Sequence, residues 1–507
     1  MFTKSLKQIS TLSISTTGSR ILGLLRDAAF FSSFGNSIYS SAFIMAFTIP
    51  NLFRRLLGEG ALASAFIPVF SQENNAGKTR AMALLNQTLT RLFLYFGAAI
   101  LIAILLLSGV SRLFTLSESW SIAMPMTQLL LPYALIICLA AILTASLNCL
   151  GKFFIPSFSP ILLNISMIGS LIIGNLLFPE SIVHIAYVLC FGVLLGGLLQ
   201  LLLPMVQMFC NGWTPQLNLQ YTDALDQVKT LFFTATGGAA ILQINVLITR
   251  LIAYQLSDEA VSQLYMASRL TELPLGVFSV AIYTVLFPLL ARYIAENNTP
   301  RFGETCRNGT ILMLGITIPS AVGLYLLAQP ILTVLFEWGR YSASDVKETA
   351  PILAIYSISI PFYSLIAYFT RVFHATRNMK TPVRISLVAL IVNIALSIGL
   401  MIPFGVKGLA WANVCTAFIQ LILLAYCLIT SNRDLGIGTM MLPTLAILVS
   451  ALVMAVFVVF LSHVFDLNTL HGNRLLLILR LLTVMGGAAV IYFVSAWLLR
   501  LKRYLPL

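Results

Sequence analysis

The sequence predicts an all-α polytopic membrane protein of about fourteen transmembrane helices: two parallel-related six-helix lobes around a central cavity, plus two extra C-terminal helices. Three observations carry this expectation. The 507 residues are 59% hydrophobic and only 9% charged, with a mean hydropathy of +0.95, an apolar excess too large for a water-soluble chain of this length to bury. Stretches long enough to cross a bilayer, about 20 apolar residues, recur along the whole chain. Several features also repeat after roughly 220 residues, the mark of an internally duplicated transporter.

Taken in order, the first two stretches, 8–33 and 39–68, have the required length but contain Arg20, Arg26, Asp27, Arg54, Arg55 and Glu59. The next four, 88–110, 124–148, 157–178 and 184–208, keep their charges at or near their ends. The seventh, 230–254, holds Arg250, and the eighth, 261–290, holds Arg269 and Glu272. Four more follow at 309–334, 350–373, 384–403 and 406–429. The last two, 440–464 and 475–499, are apolar apart from Arg480.

An even number of spans puts both termini on one side. If that side is cytoplasmic, eighteen Lys and Arg fall on inner segments and five on outer ones, the asymmetry expected of an inner-membrane protein. The net charge of +13 then reports orientation and contact with anionic lipid headgroups, and nucleic acid is not an expected partner. The Ser/Thr-rich stretch after Lys7 lacks a short apolar core with a cleavage site, so no cleaved signal peptide is expected. Seven scattered cysteines show no paired or metal-ligand spacing and read as small packing residues, with no metal expected.

The repeat matches Pro50 with Pro274, Pro68 with Pro288, Pro156 with Pro382 and Gln200 with Gln420. An offset of six spans preserves membrane orientation, so the two copies relate by an axis along the membrane normal. The expected division is 1–215 for the first lobe, 216–432 for the second, and 433–507 for the last two spans.

Seven arginines and no lysines remain embedded: Arg20, Arg26, Arg54, Arg55, Arg250, Arg269 and Arg480. Each costs about 2.5–3.5 kcal/mol at the centre of a bilayer, so they require water, acids or a bound anion. The embedded acids are Asp27, Glu59 and Glu272. Helical spacing puts Arg20 and Asp27 on one stripe and pairs Arg55 with Glu59 and Arg269 with Glu272. It turns Arg26 about 100° away from Asp27, toward a different neighbour, and leaves Arg26, Arg54 and Arg250 without local partners. The cationic surplus points to an anionic cargo, and the planar donor fork of arginine suits a phosphate or diphosphate. Arg20, Arg26, Arg54 and Arg269 are the expected contacts. Arg250 and Arg480 read as structural.

The segments SRILGLLRDA (19–28), AFTIPNLFRRLLGEGALASAFIPVF (46–70), IPSFSPILLNISMIG (155–169), ASRLTELPLGVFSVAIYTVLFP (267–288) and LFEWGRYSASD (335–345) resemble the MurJ/MviN family of lipid II flippases, within the superfamily of multidrug, oligosaccharidyl-lipid and polysaccharide exporters. The resemblance runs nearly end to end. It implies translocation of undecaprenyl-diphosphate-linked peptidoglycan precursor, lipid II, from the cytoplasmic to the outer leaflet by alternating access. It further implies diphosphate contacts at Arg26, Arg54 and Arg269 with Arg20 lining the cavity, family acids at Asp27 and Glu59, a polar contact at Asn164, and a polyprenyl-tail groove in the last two spans. Arg55 and Glu272 join Asp27, Glu59 and Asn164 as cavity support or gating residues. Family members carry an acid before IPNL where this chain has Ser40 and Ser41, which removes one gating carboxylate.

No cofactor is expected. Coupling to the membrane potential or a monovalent cation fits such a transporter, with no site assignable because spans 7 and 11 lack Asp and Glu. Membrane lipids and cell-wall synthesis machinery are the expected partners beside the cargo. Two alternatives stand: export of another polyprenyl-diphosphate-linked oligosaccharide, or a membrane enzyme acting on such lipids. The enzyme would need a cluster of acids, histidines or a metal, and the four histidines, His184, His374, His463 and His471, are far apart in sequence.

Overall fold

The structure, a computed structural model, describes residues 2–56, 62–431, 437–467 and 474–501. It is all-helical, with no strand among the described residues. The helices are α1 (Phe2–Phe34), α2 (Ile38–Phe53), α3 (Leu62–Ala76), α4 (Lys78–Arg91), α5 (Gly97–Leu113), α6 (Glu118–Cys149), α7 (Phe154–Leu177), α8 (Ile182–Cys210), α9 (Asp223–Leu256), α10 (Ala260–Pro274), α11 (Val280–Ala295), α12 (Thr299–Leu326), α13 (Ala328–Phe336), α14 (Ala343–Ile358), α15 (Ile360–Ala375), α16 (Lys380–Thr430), α17 (Ile437–Val464) and α18 (Arg474–Leu498). Among the described residues ten continuous helical stretches are long and apolar enough to cross a membrane.

Those ten account for most of the sequence expectation in a specific way. The charged or polar segments α1, α2–α3 and α9 are helical but not among them. The stretches predicted at 384–403 and 406–429 are the two helical arms of α16, which meet at a kink where Gly405 takes the non-helical φ 57° and ψ −134°. That conformation is open to glycine because it has no Cβ, which is how the chain kinks there with almost no residues between the arms.

The chain forms two compact units, 1–254 with Trp338–Tyr341, and 255–337 with 342–507. In the first, α7 packs along α8 and α1, and α6 along α2 and α8. Its core is aromatic toward the end of α1, where Phe30, Phe31, Phe34 and Phe43 meet within 5.1–5.3 Å. The short segment Trp338–Tyr341 docks there. Tyr341 packs edge-on against Phe31, the Arg340 amide donates to the Ser32 carbonyl at 2.8 Å, and its guanidinium donates to the carbonyls of Ser33 at 3.0 Å and Pro179 at 2.6 Å. A cation on the last carbonyls of α1 is favourable because those groups have no helical partner and carry the negative end of the helix dipole.

In the second unit, α10 packs on α14, α15 on α16, and α12 on α15 and α17, with α17 and α18 side by side. Two apolar cores form, one around Tyr368, Phe369 and Phe373 and one around Met454, Val458 and Val484. Features matched by the sequence repeat behave alike within each unit. Pro50 and Pro274 both precede π-helical turns, at Arg54–Leu56 and Leu275–Ser279. Gln200 is buried and donates to the Ser159 carbonyl at 3.1 Å, and Gln420 is buried and donates to the Ser386 hydroxyl at 3.2 Å.

Candidate functional site

In the first unit the site is built on α1, α2, α7 and α9. Arg26, on α1, reaches back to the next residue: its Nε and Nη2 donate to Asp27 Oδ1 at 3.0 and 2.6 Å. The expectation that Arg26 turns toward a different neighbour is therefore corrected. A 100° step separates adjacent Cα–Cβ bonds, but the arginine stem is long enough to curl across it, and burial of Asp27 at 3% exposure makes a close counter-charge strongly preferable to none. Asn164, on α7, completes the seat. Its Oδ1 accepts from Arg26 Nη1 at 3.1 Å, and its Nδ2 donates to the Ser19 carbonyl at 3.2 Å, so one side chain fixes the guanidinium and ties α7 to α1.

Arg54, also expected to lack a local partner, donates from Nε to Asn51 Oδ1 at 2.9 Å, three residues earlier on the same chain. Arg250, on α9, donates to Thr48 Oγ1 at 2.6 Å, and Thr48 passes its own hydrogen to the Ile44 carbonyl. The structural role expected of Arg250 fits this contact. Sequence reasoning missed Thr48 and Asn51; both were visible as polar residues in the otherwise apolar run AFIMAFTIPNLF. Arg55 is half-buried, whereas Arg20 is exposed and does not share the buried face of Gly23 and Asp27. Glu59, the acid expected beside Arg55, lies outside the described residues. Among the described residues the stretches 8–33, 39–68 and 230–254 thus hold five arginines, Arg20, Arg26, Arg54, Arg55 and Arg250, and one acid, Asp27.

In the second unit Arg269 and Glu272 form the expected i,i+3 ion pair, Nη1 to Oε2 at 3.1 Å, with side chains 33% and 48% exposed. A pair so open to its surroundings holds little free energy, about 0–1 kcal/mol. Arg480, expected to be structural, donates to the Phe465 carbonyl at 2.7 Å and lies over its ring.

A family profile described as lipid II flippase MurJ matches residues 30–479. The chain belongs to the lipid II flippase MurJ family. It is 32% identical over 98% of its length to a probable lipid II flippase MurJ of Bdellovibrio bacteriovorus, covering 95% of that protein. Against the lipid II flippase MurJ of Burkholderia cenocepacia it is 31% identical, covering 76% of each chain. Among solved structures it resembles a lipid II flippase MurJ in an inward closed conformation, with a TM-score of 0.78, 25% identity, and coverage of 96% of this chain and 97% of that one. An inward-facing multidrug transporter of the MATE family shares the fold at 14% identity and a TM-score of 0.67, over 82% of this chain and 96% of the other. The profile match takes in Asn164, Arg54, Arg250 and Arg269, while Arg26 and Asp27 lie just before its first residue.

Proposed function

We propose that this protein is a lipid II flippase of the bacterial inner membrane, moving the undecaprenyl-diphosphate-linked precursor from the cytoplasmic to the outer leaflet by alternating access, and that it is a transporter and not an enzyme. The observation that carries the reading is membership of the flippase family across almost the whole chain. The surplus of embedded arginines over acids gives it a physical basis, because an anionic diphosphate supplies the counter-charge that the protein withholds.

In this reading the chain crosses the membrane fourteen times with both termini cytoplasmic: the ten apolar stretches, the second arm of bent α16, and the charged segments α1, α2–α3 and α9. The lobes are 1–215 and 216–432, and 433–507 receives the lipid tail. Arg20, Arg26, Arg54 and Arg269 contact the diphosphate. Asp27 and Asn164 hold Arg26 in register, Glu272 holds Arg269 until the anion displaces it, and Arg55 and Glu59 support the same wall. Occupancy by a diphosphate lowers the repulsion among the guanidiniums and favours closure; release requires the outward state to bind it less tightly.

The test is leaflet exchange of labelled lipid II by the purified protein in vesicles. Exchange above protein-free vesicles that is lost in Arg26→Ala, Arg54→Ala and Arg269→Ala, with normal insertion, is expected. Wild-type exchange by all three variants would overturn the residue assignment, and no exchange by the wild type would overturn the function.

A further inference from the structure

Between α8 and α9 the chain runs without helix from Asn211 to Thr222 and is strapped along α4. The Trp213 indole N–H donates to Asn86 Oδ1 at 2.8 Å, and Asn86 Nδ2 donates to the Thr214 carbonyl at 3.0 Å. The Asn218 amide donates to Thr90 Oγ1 at 3.0 Å. Arg91 then donates to three successive carbonyls, Asn218 at 3.3 Å, Leu219 at 2.9 Å and Gln220 at 2.9 Å. Finally the Thr222 hydroxyl donates to Gln87 Oε1 at 2.8 Å. Polar side chains of α4 thus take the place of a neighbouring strand in satisfying this backbone.

Trp213 is the strap's buried side chain, whereas residues 214–217 and 219–221 are all exposed. Leu217, Leu219 and Tyr221, at i, i+2 and i+4, are 82%, 65% and 61% exposed. Three large apolar groups held outward on an anchored segment mark a surface that meets something other than water. The chain itself indicates what. Arg91 is followed at once by the π-helical turn Leu92–Phe96, where Phe93, Leu94 and Tyr95 are exposed, the opening of the apolar stretch that runs on through α5. The strap is therefore fastened where α4 passes from a polar to a lipid-facing surface. Tyr221 lies 5.7 Å from the Arg91 guanidinium and donates its hydroxyl to Asp226 Oδ1 at 2.5 Å, and exposed Asp223 and Lys229 follow on α9, so the outward apolar side chains end at a mixed-charge cluster of the kind a headgroup layer solvates.

We propose that the strap is an interfacial membrane anchor: Leu217, Leu219 and Tyr221 seat in the headgroup–acyl boundary of the leaflet that α4 enters, while Arg91 clamps the strap backbone from behind. The occupant is the lipid surface. The effect is to fix the start of α9 to the membrane plane and to α4 together, whatever cargo the protein carries.

The test uses the full chain in phosphatidylethanolamine/phosphatidylglycerol vesicles, with an environment-sensitive fluorescent amino acid at position 219 and, separately, at position 216. At 219 a lipid bearing a nitroxide near its headgroup should remove most of the emission, a nitroxide deep in the acyl chain should remove less, and aqueous iodide should quench far less than at 216. Iodide quenching at 219 equal to that at 216, or protection at 219 from both iodide and nitroxide lipids, overturns the proposal: the first describes a solvated loop, the second a surface covered by protein. In the unlabelled protein in lipid nanodiscs, Tyr221 should be protected from hydroxyl-radical labelling, and labelling at the rate of a free tyrosine peptide equally overturns it.

Discussion

At the scale of single residues, Arg26 and Arg269 differ in how they are held, and the difference predicts different consequences. Arg26 is partly buried and held by Asp27 and Asn164. Hydrogen bonds to a charged group contribute about 1.5–3 kcal/mol, so Asn164→Ala should slow lipid II exchange about tenfold or more and lower abundance as well. Exchange and abundance both at wild-type level would show that Asn164 does not set Arg26. Arg269 lies in an open pair, so Glu272→Gln should leave thermal stability within about 1 kcal/mol, whereas Arg269→Ala stops exchange at unchanged abundance. Equal damage from the two would mean that the pair itself, and not the guanidinium alone, is what matters. Glu259, just before α10, has its pKa raised, chiefly by burial and then by Glu348, Asp258 and Asp345. A folded pKa above the unfolded one means the folded state binds the extra proton, so this group costs stability as pH rises from the ordinary glutamate value, about 4.3, through the raised one. Glu259→Gln should therefore raise the melting temperature at pH 8 and leave it unchanged at pH 4; a loss at pH 8 would show that the charged form is the one stabilised. Residue types and their i,i+3 spacing made the Arg269 pair legible in the sequence. The Arg26–Asp27 contact was not, because rotamer choice decides it and helical angles describe only where side chains start.

At the scale of elements, nearly every predicted span is found as helix, because apolar length is a property of the sequence itself. What the sequence did not reveal is how the chain turns at the breaks it predicted between spans, since that depends on backbone conformation at one or two residues. Gly405 and Gly339 show the two ways this happens. Gly405 has positive φ with open space around its α-carbon, so Gly405→Ala should cost only backbone strain, about 1–3 kcal/mol. Gly339 has φ +58°, and a Cβ there would lie 2.4 Å from the Ser32 carbonyl oxygen. Gly339→Ala must strain the backbone and also push Arg340 and Tyr341 out of their seats on α1, so its loss of stability should exceed that of Gly405→Ala. Melting of both variants in detergent checks the order, and a milder effect at Gly339 would mean that the Trp338–Tyr341 segment is not rigidly docked. The strap along α4 was equally hidden in the sequence: Asn86, Thr90 and Arg91 look like an ordinary polar helix face until the carbonyls they hold are known.

At the scale of the whole molecule, the proposed alternating-access cycle would take its direction from the surplus of positive charge. A diphosphate headgroup is anionic, and an inside-negative potential favours moving it outward, while the same field draws an empty cationic wall toward the cytoplasmic side. Each elementary charge carried fully across is worth about 2.3 kcal/mol per 100 mV, and about 1.4 kcal/mol is tenfold in rate, so one charge crossing the whole field before or at the slow step could accelerate exchange by at most about fifty-fold. Charge that crosses only part of the field gives proportionally less. Imposing an inside-negative potential on vesicles should therefore raise the initial rate of inner-to-outer lipid II exchange, and dissipating it should return the rate to its starting value. Replacing Arg269 by Gln removes one cation from the moving wall without adding bulk, so whatever exchange that variant retains should respond less steeply to potential. If the steepness is the same in both proteins, the voltage acts on the cargo alone; if neither responds, the potential does not drive the cycle, and exchange with a monovalent cation gradient imposed in its place becomes the measurement that separates coupled transport from passive flipping.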